Sequence, residues 1–308
     1  MAMRKTTKLA GLKYFRPINR KDISTGIVSA TEAANSLGLP AMGEKDNGLF
    51  LNRFTAGDIL AMLEKVGLIK HLDFLGFGHV RVKIFKDEAM INHLQVYDER
   101  IDAGNPLIDL RLSESVFMPE KRFFENSVDH IPLNMVVIEW LSAQNPLRNF
   151  EPDRPQLPGQ SRPGLGSLRY MMKIMYQVGK DLHKDGFMDV PDHFHGAVMY
   201  TQKFLFFNPA HEAILQAILR DLKKYSLGDL SWGVITGTII NKKTGEPQVY
   251  DPSEQIFPLS NFMKRYFQTR KYRNKFREIY RNRSYHFDYQ AMLKKRESIL
   301  KAEKPDEI

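Results

Sequence analysis

Residues 151–186 read EPDRPQLPGQSRPGLGSLRYMMKIMYQVGKDLHKDG, and the change of character inside them limits the fold more than any other stretch of the chain. Prolines and glycines crowd the first half, which excludes a helix or strand interior there. From Ser167 the pattern becomes an amphipathic helix to about 182, with Leu168, Met171, Met172, Met175, Val178 and Leu182 on one side. Just upstream, 135–142 (MVVIEWLS) is almost continuously apolar, as a central strand covered on both faces would be. A strand, a glycine loop and a helix in this order predict a mixed α/β core. They also prepare a site for an anion. Glycines let main chain approach a ligand, the first-turn N–H groups of a helix lack internal partners, and the helix dipole favours negative charge there. Gly164, Gly166, Ser167 and Leu168 are therefore candidates to hold a phosphate or pyrophosphate, although the same residues also suit a plain structural turn. The loop lacks the Gly-Lys-Ser/Thr ending of a P-loop and is not G-x-G-x-x-G, so an ATP or nicotinamide reading has weak support.

The rest of the chain supplies layers around this junction. Thr55 and Asp58 form a capping pair, after which Ile59, Leu60, Met62, Leu63 and Val66 make an apolar stripe ending at Gly67. Strands are predicted at 79–85, 91–98 and 107–115, where apolar and polar residues alternate, and short polar connections favour antiparallel pairing. Further elements are a strand at 186–190, a helix over 192–203 capped by Asp192, a strand at 203–207 and a helix from Pro209 to about Tyr225. SWGVITGTII, 231–240, reads as another strand, and an aromatic, basic helix and charged tail follow from Leu259. The division is a peripheral segment 1–50, a core 51–240 and a C-terminal extension 241–308.

With 308 residues the chain has length enough for one elaborated domain. It contains no cysteine, which rules out a disulfide framework and every cysteine-based metal site. The basic N-terminus is not followed by a long apolar run, and no eighteen apolar residues stand together, so the expectation is a cytoplasmic protein. The net charge of +9 is concentrated at the ends: 264–283 holds nine Lys/Arg against one Glu. Such a segment suits an anionic membrane surface or nucleic acid, with Tyr266, Phe267, Tyr272, Phe276, Tyr280 and Tyr285 interleaved for stacking. It equally suits a solvated helix face packed on the core through its aromatic residues.

The order of elements from about 91 to 207 resembles the GNAT-type N-acyltransferases, in which a meander leads to a central strand, a pyrophosphate loop, a helix, a strand, and a further helix and strand. The loop of that family is commonly Gln/Arg-x-x-Gly-x-Gly/Ala. In QSRPGLG here, Gly164 and Gly166 match its last two fixed positions, Ser161 falls on the first, and Gln160 and Arg162 flank it. In MYTQKFLF, Tyr200 falls on the family's tyrosine and Phe204 where glycine is expected. The resemblance implies a mostly antiparallel central sheet flanked by helices, with N- and C-terminal additions. It implies transfer of an acyl group from acyl-coenzyme A, or from an acyl carrier protein, to an amine acceptor. Gln160, Arg162, Gly164, Leu165, Gly166, Ser167 and Arg169 would hold the coenzyme A thioester, and no metal is expected.

Acyl transfer to nitrogen needs an unprotonated amine, a positioned thioester carbonyl and a proton donor for the leaving thiolate. Glu139, between Ile138 and Trp140 in the most apolar strand, is the candidate base. A carboxylate paired with a neighbouring cation is the competing reading. By the resemblance Tyr200 is the acid, since a phenol stays protonated at neutral pH, though packing alone also accounts for many tyrosines. His195 is the candidate acceptor-site histidine. In DHFH, His193 and His195 would share a face on a strand, but at a helix start they diverge by roughly 200°, which disfavours a metal with Asp189 or His211. Arg154, Arg162 and Arg169 surround the loop and are placed either for phosphate contact or simply for solvent. Two other functions fit the residues: a basic nucleic-acid-binding protein, or an inactive acyltransferase-like scaffold.

Overall fold

A computed structural model describes residues 27–29, 48–99, 105–126, 129–151 and 154–302. The peripheral segment expected over 1–50 lies outside these residues except at 27–29 and 48–50. In chain order the elements are β1 (Ile27–Ser29), α1 (Ala56–Val66), α2 (Leu68–Phe74), β2 (Val80–Lys86), β3 (Asn92–Asp98), β4 (Ile108–Phe117) and β5 (Leu133–Ala143). Then come α3 (Leu168–Asp181), β6 (Gly186–Asp189), α4 (Phe194–Tyr200), β7 (Leu205–Phe206), α5 (Pro209–Asp221), α6 (Leu227–Ile235) and β8 (Ile239–Asn241). The chain closes with β9 (Gln255–Pro258), α7 (Asn261–Tyr266), α8 (Arg270–Asn282), β10 (Tyr285–Phe287) and α9 (Tyr289–Ala302).

The fold is mixed α/β. Its central sheet runs β2-β3-β4-β5-β6-β9-β7, with β1 also on β4, and every pairing is antiparallel except β5 with β6. The β2–β5 meander is what alternating strands with short connections produce. The parallel pair needs a crossover, and α3 provides it. One sheet face is covered by α1, α2 and α3, where Ile59, Leu63, Leu72, Met171, Met175 and Val178 meet Leu110, Leu112, Val136 and Ile138. The other face carries Met135, Val137 and Met188 against Met263, Tyr266 and Tyr272 of the C-terminal helices. A further core gathers Phe194, Leu215, Ile218, Trp232, Val234 and Met292 beyond the sheet.

Local signals account for several helix ends. Thr55 and Asp58 form the reciprocal capping box, Gly67 closes α1 in the left-handed conformation, and Asn208 caps α5 with Pro209 in its first turn. Two expectations are corrected. The stretch 231–240 is not one strand: its first half belongs to α6, and only Ile239–Asn241 is extended, paired with β10. Ser226 and Asp229 cap α6, and its residues from Leu230 to Ile235 are all buried, so no polar face breaks the apolar run. The helix expected over 192–203 is α4, shorter, with His193 rather than Asp192 at its N-cap. Strand β9, in the part of the chain set apart as an extension, lies inside the central sheet between β6 and β7.

Candidate functional site

The parallel strands β5 and β6 pair over a short stretch only, Met135–Val137 against Gly186–Met188. Their start is locked, because Asp185 N–H donates to the Asn134 carbonyl at 2.7 Å and the Asp185 carboxylate accepts from Asn134 N–H at 2.9 Å. Beyond Val137 the strands part. The chain after β6 turns through Val190 and Pro191 into α4, while β5 continues to Ala143 with the glycine loop stitched to its end. There Leu165 N–H donates to Ala143 O at 3.3 Å, Asn145 N–H donates to Pro163 O at 2.7 Å, and Gly164 bridges Gln144. The opening is a wedge-shaped cavity of about 590 Å³, bounded by β5 from Trp140 to Ala143, by loop residues from Pro158 to Gly166, by the start of α3 and by α4.

The loop wall presents main chain. Gly166 has φ +66°, a left-handed conformation that glycine adopts without Cβ strain, and it turns the chain into α3. His71 on α2 fixes this turn: its Nε2 lies 2.8 Å from Leu165 O, and a carbonyl only accepts, so Nε2 carries the proton. Ser167 at the N-cap of α3 is 1% exposed, makes no side-chain cap bond, and its Oγ has no hydrogen-bond partner. In the first turn Tyr170 N–H donates to Ser167 O at 2.9 Å, which leaves the N–H groups of Leu168 and Arg169 without a partner within the helix. Gln160 shapes the loop from inside, its Oε1 accepting from Leu157 N–H at 3.2 Å. Arg162 also lines the wedge, and its guanidinium donates to Pro146 O at 3.2 Å.

The opposite wall presents side chains. Tyr200 is buried, packs 5.0 Å from Phe204, and lines the wedge. Burial, reinforced by the Asp189 carboxylate, holds its phenol well above the ordinary tyrosine value, so it stays protonated. His195 also lines the wedge, with Nδ1 3.0 Å from Ser231 Oγ. Burial, with a smaller contribution from His193, lowers its pKa to about 3, so the ring is neutral near pH 7. The His193 and His195 rings lie 5.2 Å apart, and Gly159 of the loop packs against the His193 ring.

Of the residues expected to act, the wedge brings together Gln160, Arg162, Gly164, Leu165, Gly166, Ser167, His195 and Tyr200. Two others stand apart. Arg169 is turned to its neighbour, its guanidinium 4.6 Å over the Tyr170 ring and donating to the Tyr170 hydroxyl, and it does not line the wedge. Glu139 is the extra residue of a β-bulge, since Arg111 pairs with Trp140 and Leu112 with Ile138. Its carboxylate accepts from Ser113 Oγ at 2.6 Å and is outside the wedge lining. His71 and Ser231 do not stand out in the sequence, because each acts through a partner 94 or 36 residues away. Among the described residues no three His, Asp or Glu side chains are grouped to hold a metal ion.

The aromatic residues of the basic segment divide between core and surface: Tyr285 is buried, and Phe276 and Tyr280 are half-buried. Tyr266, Phe267 and Tyr272 are buried, and Tyr266 and Tyr272 donate to Phe207 O and Phe206 O at 2.8 and 2.7 Å. Phe276 and Tyr280 stack on each other, with Arg220 over the Tyr280 ring. No family model, curated protein or solved structure matches the chain. No helix among the described residues is long and apolar enough to cross a membrane.

Proposed function

We propose that the protein is a cytoplasmic acyltransferase that moves an acyl group from a coenzyme A thioester, or from the same phosphopantetheine arm on an acyl carrier protein, to an amine. The observation that carries this reading is the parting of β5 and β6 beside the glycine loop and the N-terminus of α3. An extended thioester arm fits between the two strands where their pairing stops, while its pyrophosphate meets the N–H groups of Leu168 and Arg169 and Ser167 Oγ. Arg162 stands at the same mouth. Arg169 is left out of the donor site, because its guanidinium is engaged with Tyr170.

In the reaction the amine lone pair attacks the thioester carbonyl carbon, the tetrahedral intermediate collapses, the C–S bond breaks and an amide forms. The leaving thiolate takes a proton from Tyr200, which burial keeps protonated although the same burial makes the phenol a weaker acid than an ordinary tyrosine. The proton lost by the amine restores Tyr200 in the net balance. Glu139 receives it first through water, since its carboxylate lies on β5 outside the wedge lining. His195, neutral and far too weak a base to deprotonate an ammonium, serves as a fixed polar group toward the acceptor. Titrating coenzyme A, acetyl-coenzyme A and longer acyl-coenzyme A into the protein by calorimetry tests the reading. Failure of every thioester and of free coenzyme A to bind would sink it. With binding in hand, Tyr200→Phe should lower turnover by about 10²-fold at unchanged affinity, and Glu139→Gln by a comparable or smaller factor.

A further inference from the structure

A second cavity, of about 240 Å³, opens on the far side of α4 from the wedge. Phe194 lines it, while its neighbours His193 and His195 line the wedge. Its walls are apolar: Phe194, Phe206, Leu215, Ile218 and Val234 belong to the core beyond the sheet, and they leave a hollow where native packing normally leaves no void much larger than a water. Most polar groups at its rim are already used. Tyr250 donates to Pro191 O at 2.8 Å, and Gln248 both donates to Val249 O and accepts from the Tyr285 hydroxyl.

Two groups are not used. Asp251 is exposed at the rim and makes no hydrogen bond or ion pair among the described residues. His211 lines the cavity with its Nδ1 unpartnered, and burial lowers its pKa, so it places no positive charge there at neutral pH. A largely apolar chamber with a carboxylate at its mouth is complementary to a small organic cation carrying an apolar body. Size narrows the class: a cavity of about 150 Å³ takes benzene, so this one takes a phenyl-sized body with a short tail. We propose that the hollow between α4, α5 and the segment 248–251 is a binding site for a small monoamine with a phenyl-sized apolar group, its ammonium at Asp251 and its body against Phe194, Phe206, Leu215 and Val234. The site is independent of the wedge and of the chemistry proposed there.

Calorimetric titration of the full chain with benzylamine, benzyl alcohol and benzoate, at low salt and with no thioester present, tests this directly. Benzylamine should bind about threefold to fivefold more tightly than benzyl alcohol, and benzoate most weakly, the modest factor reflecting an exposed carboxylate. Asp251→Asn should erase the difference between benzylamine and benzyl alcohol while leaving the alcohol's affinity unchanged. Ile214→Phe, which fills the hollow from a half-buried wall, should abolish binding of both. The proposal is overturned by no binding of any probe, by equal binding of all three, by a preference that survives in Asp251→Asn, or by binding that survives in Ile214→Phe. Asp251 is exposed, so its variant keeps the test decisive if the packing variant does not fold. Failure here says nothing against the thioester site, and failure of thioester binding says nothing against this one.

Discussion

Strands β5 and β6 are sealed together at one end and held apart at the other, and the two ends are built from opposite materials. At the sealed end Met135, Val136, Val137, Gly186, Phe187 and Met188 are all buried. At the open end Trp140 is 45% exposed, main-chain groups and loop glycines replace the missing strand, and a cavity stands where pairing would continue. Stability should therefore be concentrated at one end and ligand chemistry at the other. Gly186 provides the sharpest test of the sealed end. A Cβ there would lie 2.7 Å from Phe257 O and about as close to Ile256 and Met135 on either side, so a larger side chain must force three strands apart. Gly186→Val should cost about 3 kcal/mol in urea unfolding, or prevent folding. A variant of native stability would show that the seam is not close-packed and would remove the contrast.

The wall formed by α4 lies between these extremes, because its buried groups serve stability and chemistry together. His195 has its pKa held near 3 in the folded protein, against an ordinary value of 6.5. Between those values the unfolded chain binds more protons than the folded one, so stability rises with pH across this window and is lost as the pH falls from 6.5 toward 3. His195→Gln should flatten that dependence by about 1 kcal/mol per pH unit between pH 6 and pH 4, measured by urea unfolding at each pH. His211, also lowered by burial, contributes with the same sign, so part of the slope should remain. An unchanged slope would mean that His195 protonates freely in the folded state.

What could be read from residue order follows the same division. The capping box at Thr55 and Asp58, the stripe along α3 and the Asn208-Pro209 start of α5 are local, and they appear in the structure with small changes of boundary. The β2–β5 meander was legible because alternation and short connections are local too. The residues that make the wedge were mostly legible, since a glycine loop must end one element and begin the next. The parting of the strands was not, because it is a relation between segments about fifty residues apart, one of which, β6, is also flanked by a strand, β9, that returns from about seventy residues away. The reading of 231–240 as a strand failed because a helix buried on all sides has no period to detect, although Ser226 and Asp229 carried its capping signal. The aromatic residues of 264–283 suggested a surface for stacking; composition does not reveal that Tyr266 and Tyr272 face inward.

Two substitutions at the open end should separate binding from stability. Ser167 Oγ is buried without a partner, so removing it relieves a polar group that gains nothing in the unliganded fold. Ser167→Ala should leave the unfolding midpoint within about 1 kcal/mol of native, or raise it, while weakening coenzyme A binding about fivefold to tenfold through loss of a hydrogen bond to a charged oxygen. A stability loss without an affinity loss would move Ser167 from the binding wall to the fold.

The smallest effect should come from Arg162. Its side chain is exposed and its one hydrogen bond among the described residues, to Pro146 O, is long, so Arg162→Ala should shift stability by no more than about 0.5 kcal/mol. If the guanidinium meets a phosphate at the mouth of the wedge, the same change should weaken coenzyme A about threefold at low salt and less at high salt, because an exposed charge pair is screened. Arg169→Ala is the internal comparison. Arg169 sits nearby in sequence but is turned onto Tyr170, so its removal should leave coenzyme A affinity untouched at any salt concentration. Equal losses at the two positions would indicate a diffuse positive field around α3 rather than a contact at the loop. A loss at Arg169 alone would require its guanidinium to leave Tyr170 when the anion binds, and the wall facing the donor would then extend one turn further along α3.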